Sequence, residues 1–124
     1  MNIPNFHDGH FDGLRIGPNK ELRLFLRTQE GNSFTLALRG VDAMALSEVK
    51  QGNIVFDLVL RSGMQLTISD IEELFGVEAD TPQAADLLKA KRGKEIQLLE
   101  LSASYGAHGL VLFQSVEILP AAPG

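Results

Sequence analysis

His7-Asp8-Gly9-His10-Phe11-Asp12-Gly13 is the most suggestive cluster in the chain. Its His7, Asp8, His10 and Asp12 are possible metal ligands within six positions. Imidazole and carboxylate together suit a divalent metal: zinc, manganese or non-haem iron. The spacing limits this reading. His7 and His10 are three apart, so a strand points them to opposite faces. Only a turn or a helix brings them together, and Gly9 and Gly13 favour a turn. The competing reading is structural. Asp8 and Asp12 then bond to nearby backbone in Asx-type turns, and the histidines close strand ends. His108, in Gly106-Ala107-His108-Gly109, is the remaining histidine. It completes a three-histidine set only if the last hairpin lies beside the first strand. Otherwise it is a turn histidine in contact with water.

Other catalytic signatures are absent from the sequence. There is no cysteine, so no disulfide, thiolate zinc site, cysteine nucleophile or iron–sulfur cluster can form. Ser102 and Ser104 lie in no G-x-S-x-G context. No glycine-rich phosphate loop of the G-x-x-x-x-G-K-[ST] or G-x-G-x-x-G type occurs. Glu72 and Glu73 are neighbours on an expected helix and diverge, which is poor geometry for paired acid–base work. The residues therefore favour a protein without a catalytic set over an enzyme.

Charge distribution carries more. Asp plus Glu is 16 and Lys plus Arg is 11, a formal charge of −5 at pH 7. An acidic domain makes nucleic acid an unfavourable partner, because phosphate binding needs clustered cations. It also argues against an anionic membrane surface. Between Arg61 and Lys89 there are six acids and no base: Asp70, Glu72, Glu73, Glu78, Asp80 and Asp86. Four cations then follow within six residues: Lys89, Lys91, Arg92 and Lys94. Asp70, Glu72, Glu73, Glu78 and Asp80 make a candidate docking face for a basic protein, since complementary charge steers encounter. The plainer reading is that acids prefer helix starts and cations helix ends, both solvated. Arg23, Arg27 and Arg39, with Phe25 between two of them, form a second charged face. Such a face can bind a carboxylate, stack on a base, or simply solubilise a sheet.

The elements that must position these residues follow from periodicity. Residues 21–28 and 33–39 alternate, with Leu22, Leu24, Leu26 and then Phe34, Leu36, Leu38 on one face. The Glu30-Gly31-Asn32 turn between them predicts an antiparallel hairpin. Gly17-Pro18-Asn19 predicts a turn, with a strand over residues 11–16 before it. Residues 40–52 fit a strand or one helical turn. Residues 54–61 predict a strand with Ile54, Phe56, Leu58 and Leu60 on one face, and Val55, Asp57 and Val59 on the other. Ser69-Asp70-Ile71-Glu72 reads as a capping box that opens a helix closed by Gly76. Thr81-Pro82 opens a second helix, which ends at Gly93. Strands over residues 95–103 and 109–119 close the chain, joined by a turn at Ser104-Tyr105-Gly106.

The fold class expected is α+β, mostly β. It is an antiparallel sheet of about five to seven strands, curled on itself or packed on the helices. The one or two short helices sit between Ser69 and Gly93. With 124 residues, 44% apolar and 22% charged, the chain reads as one soluble domain over residues 1–119, with 120–124 as a frayed tail. No stretch approaches ~20 apolar residues, and the start carries no secretory pattern, so the expected location is cytoplasmic. The long alternating strands at residues 21–39 also offer an edge for a homodimer.

The segments FHDGHFDGLRI, LRLFLRTQEGNSFTLALRGVDAM and GNIVFDLVL resemble a group of small uncharacterised bacterial β-rich proteins. Members open on a His-Asp-Gly turn, and some are classed as immunity-type proteins of toxin systems. The resemblance covers roughly the first half of the chain, with a weaker echo at SASYGAHGLVLF. It implies a bacterial, cytoplasmic, β-rich domain with no established catalysis and transfers no site residue. Three expectations stand. The first is an acidic binding module, such as an inhibitor of a basic effector. The second is a metal-binding or metal-dependent protein using His7, Asp8, His10 and Asp12. The third is a homo-oligomeric sheet protein.

Overall fold

The computed structural model describes residues 3–48, 53–93 and 95–120. Among the described residues, eight strands and two α-helices follow one another. Strands β1 (His10–Gly17), β2 (Glu21–Arg27) and β3 (Ser33–Arg39) form a meander. Residues 40–52, open between strand and helical turn, contain strand β4 (Ala43–Ser47). Strand β5 (Val55–Ser62) leads to helix α1 (Ile68–Phe75) and helix α2 (Pro82–Lys91). Strands β6 (Gln97–Ala103), β7 (His108–Phe113) and β8 (Ser115–Pro120) complete the chain. Pro120 pairs with Phe34, so β8 takes the first residue expected in the tail. Residues 121–124 lie outside the described residues.

The α+β class holds, but the single sheet does not. The strands divide into two four-stranded sheets, ordered β1-β2-β3-β8 and β4-β7-β6-β5. Neighbouring strands are antiparallel throughout both. Each sheet is smaller than the one expected, and neither closes on itself among the described residues. The break lies inside the run expected as one strand over 109–119. At Gln114 the chain leaves the second sheet and enters the first, and the Gln114 N–H bonds the Arg39 carbonyl (2.9 Å).

Three layers result, and side-chain period explains them. The first sheet buries one face, so β2 alternates, with Leu22, Leu24 and Leu26 inside and Arg23, Phe25 and Arg27 outside. The second sheet is covered on both faces, so β7 reads HGLVLF without alternation. Val111 and Phe113 join the core between the sheets. Leu110 and Leu112 join a second core with Leu66, Leu74 and Leu98, against which Phe75 and Leu88 pack. Helices α1 and α2 thus cover the far side of the second sheet.

Three local expectations change. The capping box is Thr67 with Asp70, not Ser69 with Glu72. The Asp70 N–H bonds Thr67 Oγ1 (3.2 Å), and the Thr67 N–H bonds Asp70 Oδ2 (3.0 Å). The helix therefore starts earlier, which buries Ile71 and Leu74. The register shifts between Val55 and Asp57, so Val55 faces the same core as Leu58 and Leu60. Residues 21–39 are no edge: β2 lies between β1 and β3, and β3 between β2 and β8. The edges of that sheet are β1 and β8; on β1, Leu14 and Ile16 are exposed and a bulge falls between Phe11 and Gly13. Other signals hold. Gly76 caps α1 in the left-handed conformation (φ 68°). Thr81 caps α2, Pro82 opens it, and Lys89 and Lys91 sit in its last turn.

Candidate functional site

The His-Asp-Gly turn is a seam between the sheets. The Asp8 N–H bonds the Val55 carbonyl (2.8 Å), and the Val55 N–H bonds the Gly9 carbonyl (2.9 Å). The Phe11 N–H bonds the Asn53 carbonyl (2.8 Å), and His10 forms an antiparallel bridge with Ile54. The turn itself closes through the Gly9 N–H to the Phe6 carbonyl (2.8 Å), with Asp8 at φ 61°. An Asx-type bond is present, but from Asn5: its Oδ1 accepts from the His7 N–H (3.0 Å).

The four candidate ligands do not converge. His7 and Asp8 lie at the surface, 3.6 Å apart. Asp12 takes a two-pronged hydrogen bond from Arg27, Nε to Oδ2 at 2.7 Å and Nη2 to Oδ1 at 2.9 Å. That hydrogen bond, reinforced by the Asp12 charge, raises the Arg27 pKa. His108 stands with other partners: its Nε2 is 3.2 Å from Glu73 Oε2 and 3.9 Å from Glu100 Oε2. Among the described residues, no group of three His, Asp or Glu side chains is arranged to hold a metal ion.

The acidic residues separate by burial. Asp70 is buried (8% exposed), and its carboxylate is already used by Thr67 and by Arg61 at 3.2 and 3.3 Å. It belongs to the fold rather than to a docking surface. Glu72, Glu73, Glu78 and Asp80 are exposed. Glu72 Oε2 accepts from the Ala79 N–H (2.9 Å), which ties the loop after α1 back onto the helix. Glu78 and Asp80 ride on that anchored loop, and the exposed Asp86 on α2 continues the patch. The corner formed by α1, the loop and the start of α2 thus presents five carboxylates.

The opposite outer face carries arginines. Arg15 of β1 stands directly across from Arg23 of β2. Arg23 Nε donates to Glu21 Oε1 (2.6 Å), and Arg39 Nε lies 3.4 Å from Glu21 Oε2. Arg39 also donates through Nη1 to Glu117 (3.0 Å). The Arg23 hydrogen bond holds the Glu21 carboxyl below the usual carboxylate range. Partial burial opposes this, and the charges of Arg23 and Arg39 reinforce it. Arg15, Arg23, Arg39 and Glu21 line a cleft of about 520 Å³ with residues 17–19. Arg27, grouped with them in sequence, is turned to Asp12 and lies outside it.

The chain matches no family model, no curated protein and no solved structure.

Sequence reasoning missed Arg15. The signal was present in the turn at Gly17-Pro18-Asn19. Gly17 pairs with Glu21, and two residues back along each strand Arg15 meets Arg23. No helix among the described residues is long and apolar enough to cross a membrane.

Proposed function

We propose that the protein is a binding module that docks a basic protein partner on its α1–α2 corner. The observation that supports this is the rigid presentation of Glu72, Glu73, Glu78 and Asp80 on one exposed surface. No cation interrupts the sequence between Arg61 and Lys89, and Arg61 itself is neutralised by Asp70 and Glu100. A fixed patch of one sign raises the encounter rate with an oppositely charged partner. Inhibition of a basic effector, the role implied by the immunity-type resemblance, is one use of such a surface. The metal reading has no comparable support, because its four residues are dispersed.

Glu78→Lys with Asp80→Lys is the informative variant. Neither side chain makes a hydrogen bond or ion pair among the described residues, so the pair reverses charge without cutting a contact. The expected outcome is capture of one basic protein from the native cell by wild type at low salt. That protein is released at high salt and is not bound by the variant. The reading fails if no basic protein is captured, or if the variant keeps the same partner with the same salt dependence.

A further inference from the structure

We propose that the arginine cleft on the outer face of the first sheet is a binding site for a small phosphate monoester. It is separate from the acidic corner, since the helices cover the other sheet. Three guanidinium groups face one carboxylate in its lining. Arg15 and Arg23 are direct cross-strand neighbours, and like charges in that position destabilise a sheet. A solubilising face has no need of this pairing, since any polar residue at position 15 serves. Among the described residues Arg15 makes no hydrogen bond or ion pair. Glu21 engages Arg23 only through Nε, so the two terminal nitrogens of Arg23 are also uncommitted. Two guanidinium forks with open donors, side by side on adjacent strands, match the oxygens of a phosphate dianion.

The surroundings narrow the ligand class. A cleft of about 520 Å³ falls within the usual range for small-molecule sites. Phe25 lies one step along the sheet, opposite Gly13 and Thr35, and does not line the cleft. Among the described residues no aromatic ring lines it, so they provide no stacking platform for a base. The organic part is therefore small and non-aromatic, with Pro18 and Asn19 as its neighbours.

The test is thermal unfolding and calorimetry at constant ionic strength, with glycerol 1-phosphate as probe and succinate and chloride as controls. Glycerol 1-phosphate is expected to raise Tm saturably, and succinate and chloride are not. Arg15→Gln relieves the like-charge pair, so its unliganded Tm is expected to equal or exceed that of wild type. Its affinity for the phosphate ester is expected to fall by about tenfold or more, the loss of one charge-assisted hydrogen bond. Arg15→Lys keeps the charge but loses the fork, and is expected to bind between the two. Equal shifts with succinate would overturn the phosphate assignment. No saturable shift, or an Arg15→Gln variant that binds as wild type does, would overturn the site.

Discussion

At the scale of single residues, the turn near the start of the chain depends on a glycine more than on its histidines. A Cβ on Gly9 would run into the Arg27 carbonyl oxygen and stand 2.9 Å from the Phe6 carbonyl oxygen. Both obstacles are backbone, so no side chain can swing aside. The Gly9 N–H also donates to the Phe6 carbonyl, and its own carbonyl accepts from the Val55 N–H, which fixes it from both sides. Gly9→Ala should therefore destabilise the protein by ~1–3 kcal/mol, the usual cost of forcing atoms into a packed site. Urea unfolding measures this, and an unchanged midpoint would remove the seam from the account. His7, Asp8, His10 and Asp12 drew attention because ligand types are visible in a sequence, whereas the close approach of Arg27 to Gly9 is not. Arg15 escaped notice for the opposite reason. Its importance lies in facing Arg23, a relation set by hairpin register rather than by residue type.

At the scale of elements, local signals were legible where one hydrogen-bond pattern dominates. The β2–β3 hairpin, the Gly76 stop and the Thr81-Pro82 start each rest on neighbours in sequence. The start of α1 carries the Thr67–Asp70 box in place of the Ser69–Glu72 box expected from sequence. The first wins because it lets Asp70 also meet Arg61, while Ile71 and Leu74 turn inward. Thr67→Ala should cost ~1 kcal/mol, as loss of an N-cap does. Ser69→Ala, at an exposed position in the first turn, should stay within about 0.5 kcal/mol. Chemical denaturation of both variants decides between the boxes, and the reverse ranking would reinstate the Ser69 cap. The division into two sheets was not legible. Residues 110–119 run on without a glycine or proline, and nothing local at Gln114 announces a change of sheet. What marks β7 as central is that Leu110, Val111, Leu112 and Phe113 are all buried, which shows only once both cores exist.

At the scale of the whole molecule, the α1–α2 corner groups five exposed acids, and the outer face of the first sheet groups Arg15, Arg23 and Arg39 with Glu21 and Glu117. Among the described residues, Glu21 is the only carboxylate that lines the arginine cleft, and each of its oxygens meets a different arginine. Its folded-state pKa is lowered from 4.5, chiefly by the Arg23 hydrogen bond. A depressed acid stabilises the fold above its unfolded value and loses that contribution as pH falls through the folded value. The loss thus begins near pH 4.5 and continues below it. Protonation also leaves Arg15 and Arg23 facing each other without a counter-charge. Glu21→Gln should therefore be less stable than wild type at about pH 7, and the gap should stay constant down to about pH 5.5. Below pH 4.5 the two proteins should converge, because acid does to the wild type what the substitution does at neutral pH. Unfolding free energies at several pH values test this. A gap that persists undiminished to about pH 3 would mean that Glu21 acts through packing rather than through its charge on the arginine face.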